Sequence, residues 1–158
     1  MWIVKQYIKY LFLLLLLWAI IWVYGNYGCA RSQGNEMEPT IPKDKVMFTI
    51  PPPKMFEDLN RGDIVYYEYY IPREHQNGFI GRVIGTPSDR IRIDRGTVFV
   101  NGDKLATKQQ ESSSDNLEEI IVPSNSYFIL CDNRARGVRY DSRTIGPVGK
   151  GAILGKIR

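Results

Sequence analysis

The chain divides into an apolar N-terminal run and a longer segment in which polar and apolar residues alternate over short stretches. Residues 10–27 carry no charge, and a run of this length approaches the about 20 residues that span a bilayer as a helix. Lys5 and Lys9 precede the run, and the next charge is Arg31. The pattern predicts one transmembrane helix over residues 10–27, which would bind the chain to a lipid bilayer.

The two lysines also predict the orientation of this helix. Positive charges favour the cytoplasmic side, so we expect residues 1–9 in the cytoplasm and residues 31–158 outside the cell membrane. A cleaved secretory signal peptide is the alternative, with Gly28-Cys29-Ala30 as its small-residue cleavage site. The apolar run is longer than the core of a usual signal peptide, about 7–15 residues, and this favours the anchor.

The segment after Arg31 is rich in β-branched and aromatic residues that alternate with polar ones between turn residues. Asn101-Gly102 predicts a type I′ hairpin turn, and no helix is predicted after the apolar run. We therefore expect a mostly β, antiparallel domain behind one N-terminal transmembrane helix. The predicted strands cover residues 46–50, 64–70, 79–85, 90–94, 97–100, 103–106, 127–130 and 152–157.

Charge and composition exclude several kinds of partner and site. The chain has 21 Lys and Arg against 17 Asp and Glu, a near balance that argues against a nucleic-acid-binding protein. His75 is the one histidine, and Cys29 and Cys131 lie far apart. These residues are too few for a zinc cluster or a disulfide-rich scaffold, so we expect no metal or other cofactor. The sequence leaves open whether the two cysteines pair.

Four motifs follow one another after the apolar run. They are residues 34–40 (GNEMEPT), 61–65 (RGDIV), 81–89 (GRVIGTPSD) and 131–148, which contains CDNR, DSR and GPV. Their order and spacing behind an N-terminal anchor resemble the type I signal peptidase family, peptidase S26. The resemblance implies an antiparallel signal-peptidase-type β fold over residues 31–158. It also implies the activity of that family, which cleaves signal peptides from secreted proteins at the outer face of the membrane.

The resemblance locates the two catalytic positions of the family, and both carry other residues here. The serine nucleophile precedes Met37, where this chain has Glu36, and the lysine base precedes Arg82, where it has Gly81. A hydroxyl attacks an amide only when a base takes its proton, and a lysine is such a base only when burial keeps its amine neutral. A carboxylate and a hydrogen cannot replace these groups. We expect Gly81 to leave a hollow in place of the amine.

The other residues of the motifs are expected to shape or brace a peptide groove. Gly34 and Met37 are expected at the groove and its oxyanion site. The bracing residues are expected to bond the surrounding turns, and they are Arg82, Asp132, Asn133, Asp141, Ser142 and Arg143.

The last motif departs from the family pattern. Its two aspartates are separated by nine positions instead of seven, and Arg139 stands in place of a serine. Residues 134–139 contain three arginines. They predict either a solvated loop or a contact surface for an acidic partner or anionic lipid.

No nearby residue replaces the nucleophile and base. Ser32 is separated from Glu36 by a turn, Lys43 and Lys45 are expected at the surface, and His75 lies in a polar loop. An aspartic-protease-like pair would need two carboxyls in a buried cleft, which the sequence does not indicate. The candidate partners of Glu36 in such a pair are Glu38, Asp132 and Asp141.

Three functions remain open at this point. The resemblance favours a signal peptidase homologue without catalytic activity, of the kind that occurs with Gram-positive pilus assembly loci. It implies a peptide-binding or chaperone-like role, with a pilin subunit or a sortase as partner. The second possibility is an active signal peptidase I that cleaves secreted preproteins, and the third is a lipid-docking protein with no peptide role.

Overall fold

The structure is a computed structural model that describes residues 2–52, 54–57, 59–70, 78–106, 115–134 and 140–158. The N-terminal run forms helix α1, Trp2–Asn26, so the helix begins before the predicted span and ends one residue earlier. Its stretch Gln6–Val23 is long and apolar enough to cross a membrane, and this stretch is not buried against the rest of the chain. The N-terminal helix is therefore a possible membrane anchor.

The rest of the described chain is mostly antiparallel β, as the sequence predicts. Its strands are β1 (Gly28–Arg31), β2 (Val46–Ile50), β3 (Ile64–Glu68), β4 (Gly78–Gly85), β5 (Arg90–Asp94), β6 (Thr97–Val100), β7 (Asp103–Lys104), β8 (Leu117–Ile121), β9 (Ser126–Leu130), β10 (Val148–Gly149) and β11 (Ile153–Ile157). They form a seven-stranded sheet in the order β1-β2-β11-β3-β4-β9-β10 and a four-stranded sheet in the order β7-β6-β5-β8.

The hairpin between β6 and β7 confirms the turn that the sequence predicts. Asn101 has φ 55° and Gly102 has φ 93°, the two positive values that a type I′ turn requires. Val100 then pairs with Asp103 across the turn.

The sequence does not predict several short elements. Strands β1, β8 and β10 were not predicted, and β3 ends at Glu68 instead of Tyr70. The expectation of no helix after the apolar run is wrong, because α2 (Lys54–Glu57), α3 (Ser142–Ile145) and a 3-10 turn at Lys150–Ala152 are present. Each is about one turn long, too short to show helical periodicity.

Three apolar clusters hold the sheets together. One lies on the side of the larger sheet that carries Val65, Tyr67 and Val83, and another contains Met37 and Ile80. The third joins the two sheets, because residues of β4 and β9 pack against the smaller sheet. Its buried members are Ile84, Ile91, Ile93, Val98, Val100, Val122, Phe128 and Leu130.

Asp89 links the loops of the two sheets. Its carboxylate accepts hydrogen bonds from Arg61 Nε at 2.9 Å, from the Thr86 amide at 2.7 Å and from Asn101 Nδ2 at 3.0 Å. Burial raises the pKa of Asp89, but these donors outweigh it and lower the pKa to about 2. The folded state therefore favours the ionised carboxylate.

We expect Asp89→Asn to lower the free energy of unfolding by about 2 kcal/mol at pH 7. The carboxylate contributes its full stability above the unfolded-state pKa of about 4 and loses it as the pH falls through the folded-state pKa. The difference between variant and native protein should therefore shrink from pH 4 to pH 2. Urea unfolding in detergent at several pH values measures it. Asp103→Asn, at an exposed residue of β7, is the control, and an equal loss at pH 2 and pH 7 would contradict the prediction.

Candidate functional site

The Gly34–Met37 turn is fixed at the end of β9. The backbone amide of Asn133 donates to the carbonyl oxygen of Glu36 at 2.8 Å, and Asn133 Nδ2 donates to the carbonyl oxygen of Asn35 at 2.9 Å. Two bonds from one asparagine therefore hold the first motif against the last, over a distance of 98 residues in sequence.

Asp132 ties the same two motifs to β4. Arg82 Nε donates to Asp132 Oδ1 at 2.9 Å, and Arg82 Nη2 pairs with Asp132 Oδ2. The hydroxyl of Thr40 donates to Asp132 Oδ2 at 2.6 Å. The bond to Asp132 raises the pKa of Arg82, against the opposing effect of burial. Arg82 also donates to the carbonyl oxygen of Gly62 at 2.7 Å, so three of the four motifs meet at one guanidinium.

Asp141 is the centre of a second buried ion pair. It is fully buried and caps α3, where it accepts from the backbone amide of Arg143 at 3.1 Å. Arg143 Nη2 donates to Asp141 Oδ2 at 2.8 Å, and Arg143 Nη1 pairs with Asp115. The Cys131 amide also donates to Asp141 Oδ2, at 3.1 Å. Ser142 completes this support, because its hydroxyl accepts from the Ile129 amide at 2.8 Å.

Glu36 is a buried carboxyl with little support. Its residue surface is only 9% exposed. Burial raises the pKa of the Glu36 carboxyl, and a hydrogen bond from its own backbone amide lowers the pKa by a smaller amount. Among the described residues no cation pairs with it. The side chain bends back over Gly34, where an added Cβ would lie 2.2 Å from Glu36 Oε2. A Cβ at position 34 would therefore displace the Glu36 carboxylate from this position.

Gly81 does not border a hollow, so that expectation is wrong. A Cβ added to Gly81 would lie 2.5 Å from Ile129 Cγ2, 3.2 Å from the carbonyl oxygen of Leu130 and 3.3 Å from Tyr67 Cε1. Ile129 and Tyr67 are themselves fully buried. The space that the first carbon of a side chain at position 81 would need is therefore already occupied by Ile129.

Tyr67 is the central residue that the sequence analysis missed. It is fully buried, and its hydroxyl donates to the carbonyl oxygen of Tyr140 at 2.7 Å. Burial raises the pKa of the Tyr67 hydroxyl strongly. The negative charges of Cys131, Asp141 and Glu36 raise it further. Tyr67 therefore lies beside Gly81, and the charge of Glu36 contributes to the raised pKa of its hydroxyl. The strand pattern of residues 64–70 predicts only that alternate rings are buried.

Comparison with known proteins identifies the family. A model of signal peptidase, peptidase S26, matches residues 4–158. The chain belongs to the signal peptidase family, peptidase S26. It is similar to the probable signal peptidase I-2 of Synechocystis, with 30% identity over 77% of this chain and 57% of that protein. It is also similar to signal peptidase I P of Bacillus subtilis subsp. natto, with 31% identity over 78% of this chain and 70% of that protein.

A solved signal peptidase shares the fold. The crystal structure of a signal peptidase I from Enterococcus faecalis matches with a TM-score of 0.50 and 25% sequence identity. The match covers 64% of this chain and 97% of the other. The β fold expected from the motifs is therefore confirmed as the signal peptidase I fold.

Neither Ser32 nor Thr40 forms a serine–base pair with a described residue. Ser32 is fully buried, and its hydroxyl donates to the carbonyl oxygen of Gly34 at 3.1 Å. Thr40 does contact a buried carboxylate, but Asp132 already carries two bonds from Arg82. An arginine-paired carboxylate is a weak proton acceptor. Lys43 and Lys45 are exposed, as expected.

Glu36 does not form a proton-sharing carboxylate pair with Asp132 or Asp141. Asp132 is paired with Arg82 and Asp141 with Arg143. Both acids are therefore compensated by a guanidinium and do not need to share a proton with Glu36. No group of three or more His, Cys, Asp or Glu side chains arranged for a metal was found in the described part of the chain.

Other expected site residues have different surroundings from those predicted. Met37 is fully buried in an apolar cluster instead of lining a groove. Arg134 is only 2% exposed and donates to the carbonyl oxygen of Gly96 at 2.8 Å, so it is not part of a solvated loop. Cys29 is exposed, Cys131 is buried, and both are free. His75, Arg136 and Arg139 lie outside the described residues.

Proposed function

We propose that this chain is a non-catalytic member of the signal peptidase family that binds extended peptides. The packing at Gly81 carries the proposal. The family resemblance expects a lysine at this position, but its Cβ would overlap Ile129 and crowd Tyr67. A neutral amine at this position is therefore opposed by sterics as well as by the identity of the residue.

The surroundings of Glu36 support the same conclusion. A carboxylate attacks an amide far less readily than an activated serine hydroxyl, and it cannot form the ester intermediate that a serine forms. Its negative charge also opposes the oxyanion that develops on a peptide carbonyl during cleavage. Burial raises the pKa of Glu36, and no cation among the described residues pairs with this carboxyl.

The first half of β4 supports peptide binding, because it has no strand partner on the β9 side in the part of the chain that the structure describes. Its residues are buried, and the Ile80 carbonyl accepts from Cys131 Sγ at 4.0 Å. Strand β9 pairs with β4 only from Arg82 to Gly85. Towards its start, β4 has no strand partner on this side among the residues described, and the Gly34–Met37 turn is held at the end of β9 by Asn133. An extended peptide can add to this stretch of β4 through its main chain once the Cys131 thiol moves aside.

The proposed setting follows from the anchor and the family. Helix α1 would hold the protein in the cell membrane as a single span, with its N-terminus in the cytoplasm and the β domain outside. The bound peptide would be part of a pilin subunit or of a sortase, and the role would be chaperone-like in pilus assembly. The rival function is an active signal peptidase I, which the names of the relatives favour.

The decisive assay gives the purified full chain in detergent a preprotein with an Ala-x-Ala site. We expect no processing above the buffer control, whereas an active signal peptidase I, run in parallel, should cleave the preprotein to completion. We expect the rate to be at least about a thousandfold lower than that of the active enzyme, because the nucleophile and the base are both absent.

Two variants make the assay selective. Cleavage of the preprotein by the purified chain, but not by the Glu36→Gln and Asp132→Ala variants, is the opposite outcome. That result would contradict the proposal and favour an active signal peptidase I. The binding role is measured separately, by titrating a purified pilin or sortase against the chain. Failure of each purified partner to bind would remove the pilus role while leaving the lack of catalysis untouched.

A further inference from the structure

An apolar pocket lies where the N-terminal helix meets the larger sheet. It has a volume of about 430 Å³ and is lined by Val23, Tyr27, Phe48 and Arg158. The Tyr27 amide donates to the Val23 carbonyl at 3.0 Å, and the Arg158 amide donates to the Phe48 carbonyl at 3.3 Å. Backbone hydrogen bonds therefore hold both walls of the pocket. A volume of this size is within the usual range for ligand pockets, about 300–1,000 Å³.

One wall of the pocket continues into an exposed apolar face of β2. Phe48 is 65% exposed and Val46 is 64% exposed, while Met47 and Thr49 between and beside them are buried. The alternation shows that Phe48 and Val46 share the outer face. Cys29 of β1 lies opposite Phe48 and is also exposed. Strand β2 thus buries one face and leaves two large apolar side chains outside.

The position of the pocket along the helix indicates what covers this face. Val23 is the last residue of the stretch Gln6–Val23 that could cross a membrane. Trp22 and Tyr27 contact each other edge to face, with ring centroids 6.3 Å apart, and such rings favour the membrane interface. If α1 spans a bilayer, the pocket opens at the boundary between hydrocarbon and headgroups.

We propose that this pocket binds an acyl chain of a phospholipid of the surrounding bilayer. The inference depends on the membrane anchor of the proposed function and is independent of peptide binding. Val23, Tyr27 and Phe48 supply the apolar walls. Arg158 can pack its aliphatic stem against the chain while its guanidinium extends towards the phosphate level. The bound lipid would fix the β domain against the membrane surface beside its own helix.

The test reconstitutes the full chain in nanodiscs that contain a phosphatidylcholine with a diazirine on its acyl chain. After illumination and proteolysis, mass spectrometry locates the lipid adducts. We expect adducts on α1 and also on the peptide that contains residues 46–50. Phe48→Glu should lower the adduct yield on that peptide about fivefold or more, because a carboxylate opposes the apolar contact.

The matched control is Ile121→Glu. Ile121 is 66% exposed, like Phe48, but it belongs to β8 of the smaller sheet. The control should leave the adducts on residues 46–50 unchanged, and circular dichroism should show both variants folded. Adducts confined to α1, no adducts at all, or an equal loss in both variants would overturn the proposal. So would Cys29-to-Cys29 crosslinking that rises with protein density as the lipid adducts fall, because a second copy would then occupy the face.

Discussion

Replacing Gly81 with lysine is expected to lower the free energy of unfolding by about 3–5 kcal/mol. The first carbon of the new side chain would lie 2.5 Å from Ile129 Cγ2 and 3.2 Å from the carbonyl oxygen of Leu130. Ile129 is fully buried, and the Leu130 carbonyl belongs to the backbone of β9. Neither can move without disturbing the sheet. The ammonium group adds the cost of burying a charge.

Urea unfolding in detergent measures this loss. Gly151→Lys is the control, because a Cβ at Gly151 has no atom within 4 Å, and its effect should remain below about 0.5 kcal/mol. A second substitution tests the proposed cause. Ile129→Ala should destabilise the native protein by about 2–4 kcal/mol, yet it should cost far less in the Gly81→Lys background because it removes the overlapping methyl group.

The same packing predicts that restoring the family residues does not restore the activity. The double variant Glu36→Ser with Gly81→Lys should process the Ala-x-Ala preprotein no faster than the native chain. A folded double variant with clear cleavage and undiminished stability would show that Tyr67 and Ile129 yield to the lysine. The lack of catalysis would then be due to the substitutions at positions 36 and 81 alone, in a site that is otherwise intact.

The elements predicted best from sequence are those with a strong local pattern. Residues 46–50 form a brief apolar run that predicts a strand, and its bounds agree with β2. The hairpin at Asn101-Gly102 follows from the backbone freedom of those two residues. The order of the motifs predicted the signal peptidase fold through its resemblance to that family, and in the structure each motif holds a turn or strand of the larger sheet.

The sequence could not predict contacts that depend on tertiary packing. Gly81 and Ile129 are 48 positions apart, and nothing local indicates that the isoleucine fills the space beside the glycine. Arg134 carries a charge, which predicts exposure, yet it is buried and bonded to a backbone carbonyl of a distant turn. The apolar pocket likewise depends on how helix α1 meets β2, which no local pattern specifies.

Arg143 is expected to be the most sensitive charged residue of the domain. It is 14% exposed in its side chain and pairs with Asp141, whose side chain is fully buried, and with Asp115, which is 21% exposed. Arg143→Ala would leave the buried Asp141 carboxylate without a cation, and removing one partner of such a pair costs about 3–5 kcal/mol. We expect a loss of this size in urea unfolding at pH 7.

The control is the exposed ion pair of Arg92 with Asp94, in which both side chains are more than 40% exposed. Arg92→Ala should cost about 1 kcal/mol or less, because water screens such pairs. Arg143→Lys should recover only part of the loss, since one ammonium cannot reproduce the fork that joins Asp141 to Asp115. Equal effects at Arg143 and Arg92 would show that water reaches Asp141 freely. The carboxylate would then not be a buried support for α3, and the end of β9 beside Glu36 would depend on Asn133 and Asp132 instead.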